Sequence, residues 1–148
     1  MVRGFLLNNE LTDFDFVPGG PNQVGPGKRP RSSMAPAMVF DADGRLQLVV
    51  GSPGGSAIIN YVAKALVGVL DWKLDIQQAI DLPNFGSRNG PTELERGSRY
   101  QGLASALAER GHQVELAPLE SGLHGIERVA GGWRGGADSR REGVAKGR

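Results

Sequence analysis

The residues best suited to chemistry form one glycine-rich turn, Gly51 to Ser56, with the sequence GSPGGS. A turn of this kind presents backbone N–H groups without side chains in the way, and such donors suit a phosphate, a carboxylate or a developing oxyanion. The turn contains neither GxGxxG nor GxxxxGK followed by Ser or Thr, so it matches neither phosphate-loop pattern. Its spacing therefore predicts an anion-binding turn, and leaves open which anion is bound.

Two regular elements flank this turn and must position it. The apolar run from Leu46 to Val50 predicts a strand before it, and Ala57 to Leu70 predicts a buried helix after it. Ser56 is a candidate N-cap for that helix. An Asp-Gly hairpin signal at 41–44 joins the strand to an earlier apolar run, Ala35 to Phe40.

The remaining elements complete an expected α+β domain rather than alternating βαβ units. In chain order they are a short strand at Gly4–Asn8, a long loop at Val17–Pro30, a helix from an Asp75 cap to Ile80, a helix at Ser98–Arg110 stopped by Gly111, a strand at Gln113–Ala117 and a hairpin at His124–Gly135. Residues 1–148 are expected to form a single domain, with a charged, frayed tail at 138–148.

Composition argues against several functional classes. Seventeen Lys and Arg against sixteen Asp and Glu give a formal charge of +1, so no electrostatic case for nucleic acid follows, and the basic cluster at 28–31 is interpreted as a solvated loop. The chain has no cysteine for disulfides or thiolate metal sites, and neither histidine has a second one at zinc-ligand spacing, so no metal or cofactor is expected. No apolar run approaches the roughly 20 residues of a membrane span.

Three motifs that occur in a fixed order strengthen the functional argument. They are NNELTDF at 8–14, PGKRPRSSM at 26–34 and the glycine turn at 51–56. Together they resemble the small subunit of γ-glutamyltranspeptidases, and the similarity continues to GADSRREG at 136–143. The resemblance covers nearly the whole chain, and all three motifs at this spacing are far more specific than any one of them.

The resemblance implies membership of the N-terminal nucleophile hydrolases, of whose four-layer αββα sandwich this chain would form part. Such enzymes are made as a precursor that cleaves itself into a large and a small subunit. The new N-terminal threonine, with its own α-amine as base, attacks the γ-glutamyl carbonyl of glutathione or a related amide, and water or an acceptor amine then takes the γ-glutamyl group. The implied partners are that substrate and the large subunit. Family members are often periplasmic or secreted, although the chain itself leaves the compartment unknown.

The family's site residues carry over by matching position. Gly54 and Gly55 would donate backbone N–H groups to the oxyanion. Ser32 and Ser33 would hold the α-carboxylate of the γ-glutamyl group, and Asp13 would pair with its α-ammonium, assisted by Glu10. A zwitterionic amino acid needs such opposed charges and donors, since charge-assisted hydrogen bonds are the strong ones.

The chain also departs from the family pattern. The catalytic threonine of the family precedes the 8–14 segment, and Thr12 and Thr92 stand in the wrong places to replace it. Arg31 replaces a usually apolar residue, and Ser139 replaces a common proline. The expectation is an enzyme piece that is inactive alone, and three alternatives stay open: a non-enzymatic binder of a small anion or amino acid, a β-lactam side-chain acylase of the same superfamily, and a degenerate fragment that does not fold stably.

Overall fold

The computed structural model describes residues 4 and 7–147 and divides the chain into two compact units, Met1–Ser33 and Met34–Arg148. The strand expected at Gly4–Asn8 centres on residues 5 and 6, which lie outside the described residues. The α+β class is confirmed, because the second unit combines helices with two separate sheets.

The first unit contains one short 3-10 helix, Glu10–Asp13, followed by irregular chain. This agrees with the long loop expected from its glycine and proline content. Asn22 organises the loop, since its amide nitrogen donates to the Asp13 carbonyl at 2.7 Å and to Asp15 Oδ1 at 3.2 Å. Its amide oxygen accepts the Arg31 N–H at 2.9 Å. One side chain thus joins both ends of the loop, which gives it a definite shape despite the lack of regular structure.

The second unit begins with a hairpin that delivers the chain to the glycine turn. Its described strands are β1 (Ala37–Phe40), β2 (Leu46–Gly51), β3 (Phe85–Gly86), β4 (Thr92–Glu95), β5 (Val114–Ala117), β6 (His124–Val129) and β7 (Gly132–Ala137). Its described α-helices are α1 (Ile58–Leu70), α2 (Ile76–Asp81) and α3 (Ala104–Glu109), with 3-10 turns at Gly55–Ala57 and Arg99–Leu103. The two predicted hairpins, β1–β2 and β6–β7, are confirmed, and each has a glycine at positive φ in its turn, Gly44 and Gly131.

The strands form two sheets with different patterns. The larger sheet has the order β1-β2-β6-β7 and is antiparallel throughout. The smaller sheet has the order β3-β4-β5 and includes a parallel pair, β4 with β5. The sequence did not predict β3 or β4, because a two-residue strand carries no alternation and the residue types at 85–91 indicate turns.

Helices α1 and α2 cover one face of the larger sheet and enclose the core. The helices approach closely at Gly68, where a Cβ would lie 2.8 Å from the Cβ of Ala79. The buried core residues are Leu48, Val50, Ile58, Tyr61, Val62, Ala65, Ile76, Ile80, Leu119 and Leu123. Burying each large aliphatic side chain of this kind contributes about 1.5–3 kcal/mol, so this cluster provides most of the stability of the sheet–helix layer.

The two helix caps predicted from the sequence had different outcomes. Asp75 is the N-cap of α2, as expected, and it also forms a capping box with Gln78. The prediction that Ser56 caps α1 is wrong, because the 3-10 turn comes first and α1 follows Ala57 with no side-chain cap. The Ser56 hydroxyl instead accepts a hydrogen bond from Arg88 at 2.6 Å.

The stretch expected to be a frayed tail begins with buried and hydrogen-bonded residues. Asp138 is only 1% exposed, and its carboxylate accepts hydrogen bonds from the Ser121 hydroxyl and the Leu123 N–H. Arg140 is bonded to Glu95 on β4. Residues 142–147 are exposed and lie outside helices and strands. The number of charged residues does not distinguish residues 138–140 from residues 142–147, because the first group is held by hydrogen bonds to partners in the rest of the second unit.

Candidate functional site

The glycine turn predicted from the sequence leaves β2 at Gly51 and enters α1 through a 3-10 turn. Gly54 has a φ of 139° and Gly55 a φ of 56°, in the region that side chains disfavour and glycine adopts readily. The Ala57 N–H closes the turn on the Gly54 carbonyl at 3.2 Å. Within the part of the chain that the structure describes, the N–H groups of Gly54 and Gly55 donate to no other residue. The turn thus offers two adjacent donors to an anion.

Tyr61 supports this turn from within the core. It lies in the first turn of α1, is 4% exposed, and packs its ring against Gly54. A Cβ on Gly54 would lie 2.6 Å from Tyr61 Cε2, so the ring and any side chain there exclude each other. Burial raises the pKa of the Tyr61 hydroxyl above its ordinary value, and the negative charge of Glu93 adds to this effect. The residue is therefore a neutral, rigid support at physiological pH.

A second contact fixes the start of the turn. The Ser52 hydroxyl donates to the Pro53 carbonyl at 2.7 Å and accepts the Gly122 N–H at 3.2 Å. Gly122 leaves room for this approach, because a Cβ there would lie 2.7 Å from Pro53 Cγ and 2.8 Å from Arg141 Cδ. The segment before β6 therefore holds the turn through contacts separate from those of α1. The contacts made by Tyr61 and by Gly122 thus hold the N–H groups of Gly54 and Gly55 in a fixed position.

Arg88 places a positive charge beside the turn, which the sequence reasoning missed. It lies in the loop between β3 and β4, and its Nη1 donates to Ser56 Oγ at 2.6 Å. Its Nη2 donates to Glu93 Oε1 at 3.0 Å, and its side chain is 52% exposed. The contact joins residues 32 positions apart, so no local pattern could have indicated it.

The substrate-binding residues predicted from the resemblance lie in the first unit. Glu10 and Asp13 begin and end its 3-10 helix, so they occupy the same side of one turn, and both are half-buried. No described residue donates to either carboxylate. Ser33 is half-buried and Ser32 is exposed, at the end of the irregular loop. The Gly54–Gly55 pair belongs to the second unit.

The segment at 136–143, which also resembles the family, contributes a charge cluster in which Asp138 is buried and Arg140 is half-buried. Arg140 donates to Glu95 and to Asp138 Oδ1, the latter at 3.1 Å. Burial alone would raise the pKa of Asp138, but hydrogen bonds from Ser121, Arg140 and Leu123 outweigh it and hold that pKa below its ordinary value. Asp138 is therefore ionised and fully bonded, which suits a structural support.

The described residues show neither a metal centre nor a membrane-spanning helix. They contain no group of three or more His, Cys, Asp or Glu side chains that could hold a metal ion. None of their helices has the length and hydropathy needed to cross a bilayer.

Comparison with known proteins places the chain in a family. The family model for γ-glutamyltranspeptidase matches residues 1–148. A glutathione hydrolase proenzyme of Bacillus subtilis is 36% identical over 147 residues, which are 97% of this chain and 25% of that protein. An acylase ACY 1 proenzyme of Pseudomonas sp. strain V22 is 36% identical over 119 residues, 80% of this chain and 21% of that protein. The chain therefore spans a quarter or less of these relatives' length.

A solved structure confirms the expected fold. The crystal structure of a mutant γ-glutamyltranspeptidase of Helicobacter pylori is similar with a TM-score of 0.80 at 31% identity, covering 95% of this chain and 83% of that one. The mixed helix and sheet arrangement is thus that of part of an N-terminal nucleophile hydrolase. With a family match along its whole length, the chain belongs to the γ-glutamyltranspeptidase family.

Proposed function

We propose that this chain supplies the oxyanion donors and the γ-glutamyl-binding residues of an enzyme that hydrolyses or transfers γ-glutamyl groups from glutathione and γ-glutamyl amides. The observation that carries the proposal is the pair of N–H groups at Gly54 and Gly55, which have no described protein partner and sit in a turn held by two separate contacts. Donors that need no rearrangement suit the charge that develops when a nucleophile attacks a carbonyl.

The proposed reaction proceeds through a γ-glutamyl-enzyme intermediate. A threonine hydroxyl gives its proton to the threonine α-amine and attacks the γ-carbonyl, whose oxygen becomes an oxyanion held by Gly54 and Gly55. The C–N bond then breaks, and the leaving amine takes the proton from the α-amine. Water or an acceptor amine then attacks the ester. Removing one donor from such a site typically lowers kcat by about a hundredfold or more. Asp13 would bind the α-ammonium with Glu10 beside it, and Ser32–Ser33 would bind the α-carboxylate.

The proposed partner is the large subunit of the same precursor. The face of the larger sheet that α1 and α2 leave uncovered carries a row of residues in register across all four strands, Met38, Val49, Ile126 and Gly135. Met38 is 66% exposed and Ile126 is 50% exposed. An apolar face of this kind is typical of an interaction surface, and a second sheet packed on it would form the αββα sandwich. We take residues 1–148 as one small-subunit domain, for which a single cooperative thermal transition is expected.

A chimera tests the function directly. Residues 1–148 would replace the matching quarter of the Bacillus subtilis glutathione hydrolase proenzyme, and release of p-nitroaniline from γ-glutamyl-p-nitroanilide would be measured. The chimera should be active, and Gly54→Ala should abolish most of that activity. Gly44→Ala is the matched control, because this glycine also has positive φ but has open space around it. A folded chimera without activity would contradict the proposal.

The chain expressed alone should release no γ-glutamyl group, because no threonine stands at the position of the family's nucleophile. Any turnover by the purified 148 residues would contradict this part of the proposal. Tight binding of glutamate by the isolated chain, measured by calorimetry, together with a folded chimera that shows no turnover, would instead favour a non-enzymatic binder.

A β-lactam side-chain acylase is the second candidate, favoured by the 36% identity to the Pseudomonas acylase. The activity of such an acylase would depend less on Asp13, which is proposed to bind the α-ammonium of a γ-glutamyl group. Asp13→Ala in the chimera therefore separates the two candidates: loss of γ-glutamyl release supports the first, and retained turnover of a non-glutamyl acyl amide supports the second.

A further inference from the structure

The loop between β3 and β4 presents Arg88 to the glycine turn in a fixed position. At the base of the loop, a Cβ on Gly86 would overlap the side-chain amide of Asn60 on α1, so the loop starts pressed against that helix. Within the loop, the Ser87 hydroxyl donates to the Gly90 carbonyl at 2.9 Å, and Asn89 has a φ of 62°. The arginine is thus carried by a folded loop.

The two anchors of Arg88 leave part of its guanidinium available. The group has five N–H donors, of which one bonds to Ser56 Oγ and one to Glu93 Oε1. Glu93 is the less exposed partner, with 18% of its side chain accessible against 52% for Arg88. Ser56 directly follows Gly55, whose N–H is a proposed oxyanion donor. The remaining donors therefore belong to a half-exposed side chain at the edge of the proposed reaction centre.

We propose that Arg88 is a specificity-determining residue that binds a carboxylate on the leaving-group side of the substrate. This inference rests on the proposed function, in which the γ-glutamyl group itself is held by Asp13, Ser32 and Ser33. A guanidinium fork matches a carboxylate better than a neutral amide. The preferred substrates are then γ-glutamyl peptides with a free C-terminal carboxylate, such as glutathione, rather than neutral γ-glutamyl amides.

Binding to the 148-residue chain tests this inference without catalysis. The readouts are the backbone N–H signals of Gly54 and Gly55 and the Nε–H signal of Arg88 in ¹H–¹⁵N NMR spectra. The three probes are glutathione, glutathione with its C-terminal carboxylate converted to an amide, and N-acetyl-cysteinylglycine, which has the carboxylate but no γ-glutamyl group. The chain has no cysteine, so the thiol probes cannot form disulfides with it.

Glutathione should bind about tenfold more tightly than its C-terminal amide, which is the effect of one charge-assisted hydrogen bond. Arg88→Gln should remove this difference, and Arg88→Lys should keep part of it. Arg45→Gln is the matched control, since it removes an exposed arginine from the β1–β2 turn and should leave the difference unchanged. Equal affinity for the two glutathione probes, a difference that survives Arg88→Gln, or no shift of the Arg88 signal with any probe would each overturn the inference.

The third probe separates this inference from the proposed function. If N-acetyl-cysteinylglycine binds at Arg88 as tightly as glutathione, the carboxylate site stands and γ-glutamyl recognition by this chain fails. If both glutathione probes bind equally and N-acetyl-cysteinylglycine does not bind, γ-glutamyl recognition stands and the role of Arg88 is refuted.

Discussion

Arg140 and Glu95 form a two-pronged ion pair, with Nε 2.6 Å from Oε1 and Nη2 2.9 Å from Oε2. Arg140 follows β7 of the larger sheet and Glu95 ends β4 of the smaller sheet, so this pair joins the two sheets directly. The guanidinium also donates to Asp138 and to the carbonyls of Ile80 and Leu82. The segment after β7 is therefore a structural support of the second unit.

Arg140→Met should lower the free energy of unfolding by about 3 kcal/mol, because it leaves the half-buried Glu95 carboxylate and the buried Asp138 carboxylate without their main cation. Urea unfolding followed by circular dichroism measures the change. The matched control is Arg45→Met, which breaks the ion pair with Asp43. The Arg45 side chain is 64% exposed and the Asp43 side chain is 70% exposed. That control should cost less than about 1 kcal/mol, and an equal loss in both variants would show that the half-buried pair contributes nothing beyond a surface pair.

Gly54→Ala should destabilise the chain by about 2 kcal/mol or more, since it combines positive φ with overlap between the new Cβ and the Tyr61 ring. Gly55→Ala keeps only the backbone strain, because a Cβ there meets open space, and should cost about 1 kcal/mol. Adding Tyr61→Leu to Gly54→Ala should recover part of the loss, with a coupling of about 1 kcal/mol in a double-mutant cycle. Strict additivity of the two changes would show that the ring does not hold the turn.

Gly68→Ala should destabilise the chain by about 1 kcal/mol. The new Cβ would lie 2.8 Å from Ala79 Cβ and push α1 away from α2, which outweighs the gain of about 1 kcal/mol from replacing glycine in a helix. Gly102→Ala is the control, since a Cβ at that position would have nothing within 4 Å. Thermal melts of both variants check the prediction, and a Gly68→Ala protein at least as stable as the wild type would contradict it.

Local signals explain which parts of the fold could be predicted from the sequence. Two hairpin turns and one helix cap depend only on residues close to each other in sequence, and all three are present in the structure. They are the Asp-Gly turn at 43–44, the turn at Gly131 and the Asp75 cap. Strand β3 was missed because it has only two residues, and β4 was missed because one of its partners is β5, some twenty residues further along the chain. The Ser56 cap failed because the chain enters α1 through a 3-10 turn that contains Ser56, and its hydroxyl accepts a hydrogen bond from the distant Arg88.

In the candidate site too, features set by neighbouring residues could be predicted from the sequence, and features set by distant contacts could not. The turn at Gly54 and Gly55 could be predicted because the glycine motif and its flanking strand and helix are contiguous in sequence. The sequence shows Tyr61 only as one apolar position of α1, and its contact with Gly54 emerges from the helix geometry. Arg88 has no sequence signal at all, because its position beside the turn depends on a loop that packs against α1.

Lys64 is buried in α1, with 4% of its surface exposed, and donates to the carbonyls of Ile80 at 3.0 Å and Leu82 at 2.6 Å. Burial lowers the pKa of its ammonium to about 8, and the nearby charge of Arg140 acts in the same direction. A neutral amine still has two N–H groups, enough for both carbonyls. Deprotonation therefore removes the cost of a buried charge and keeps both hydrogen bonds.

The free energy of unfolding should consequently rise with pH between the folded pKa of about 8 and the unfolded value of 10.5, because the unfolded chain binds more protons in that window. The contribution of Lys64 should grow by about 2 kcal/mol from about pH 7 to about pH 9.5. Tyr61, whose pKa is raised, opposes this only above 10.0, so the window avoids it. Urea unfolding at several pH values should show this rise in the wild type and in the exposed-site control Lys73→Met, and its loss in Lys64→Met. The same rise in Lys64→Met would assign the pH dependence to another group.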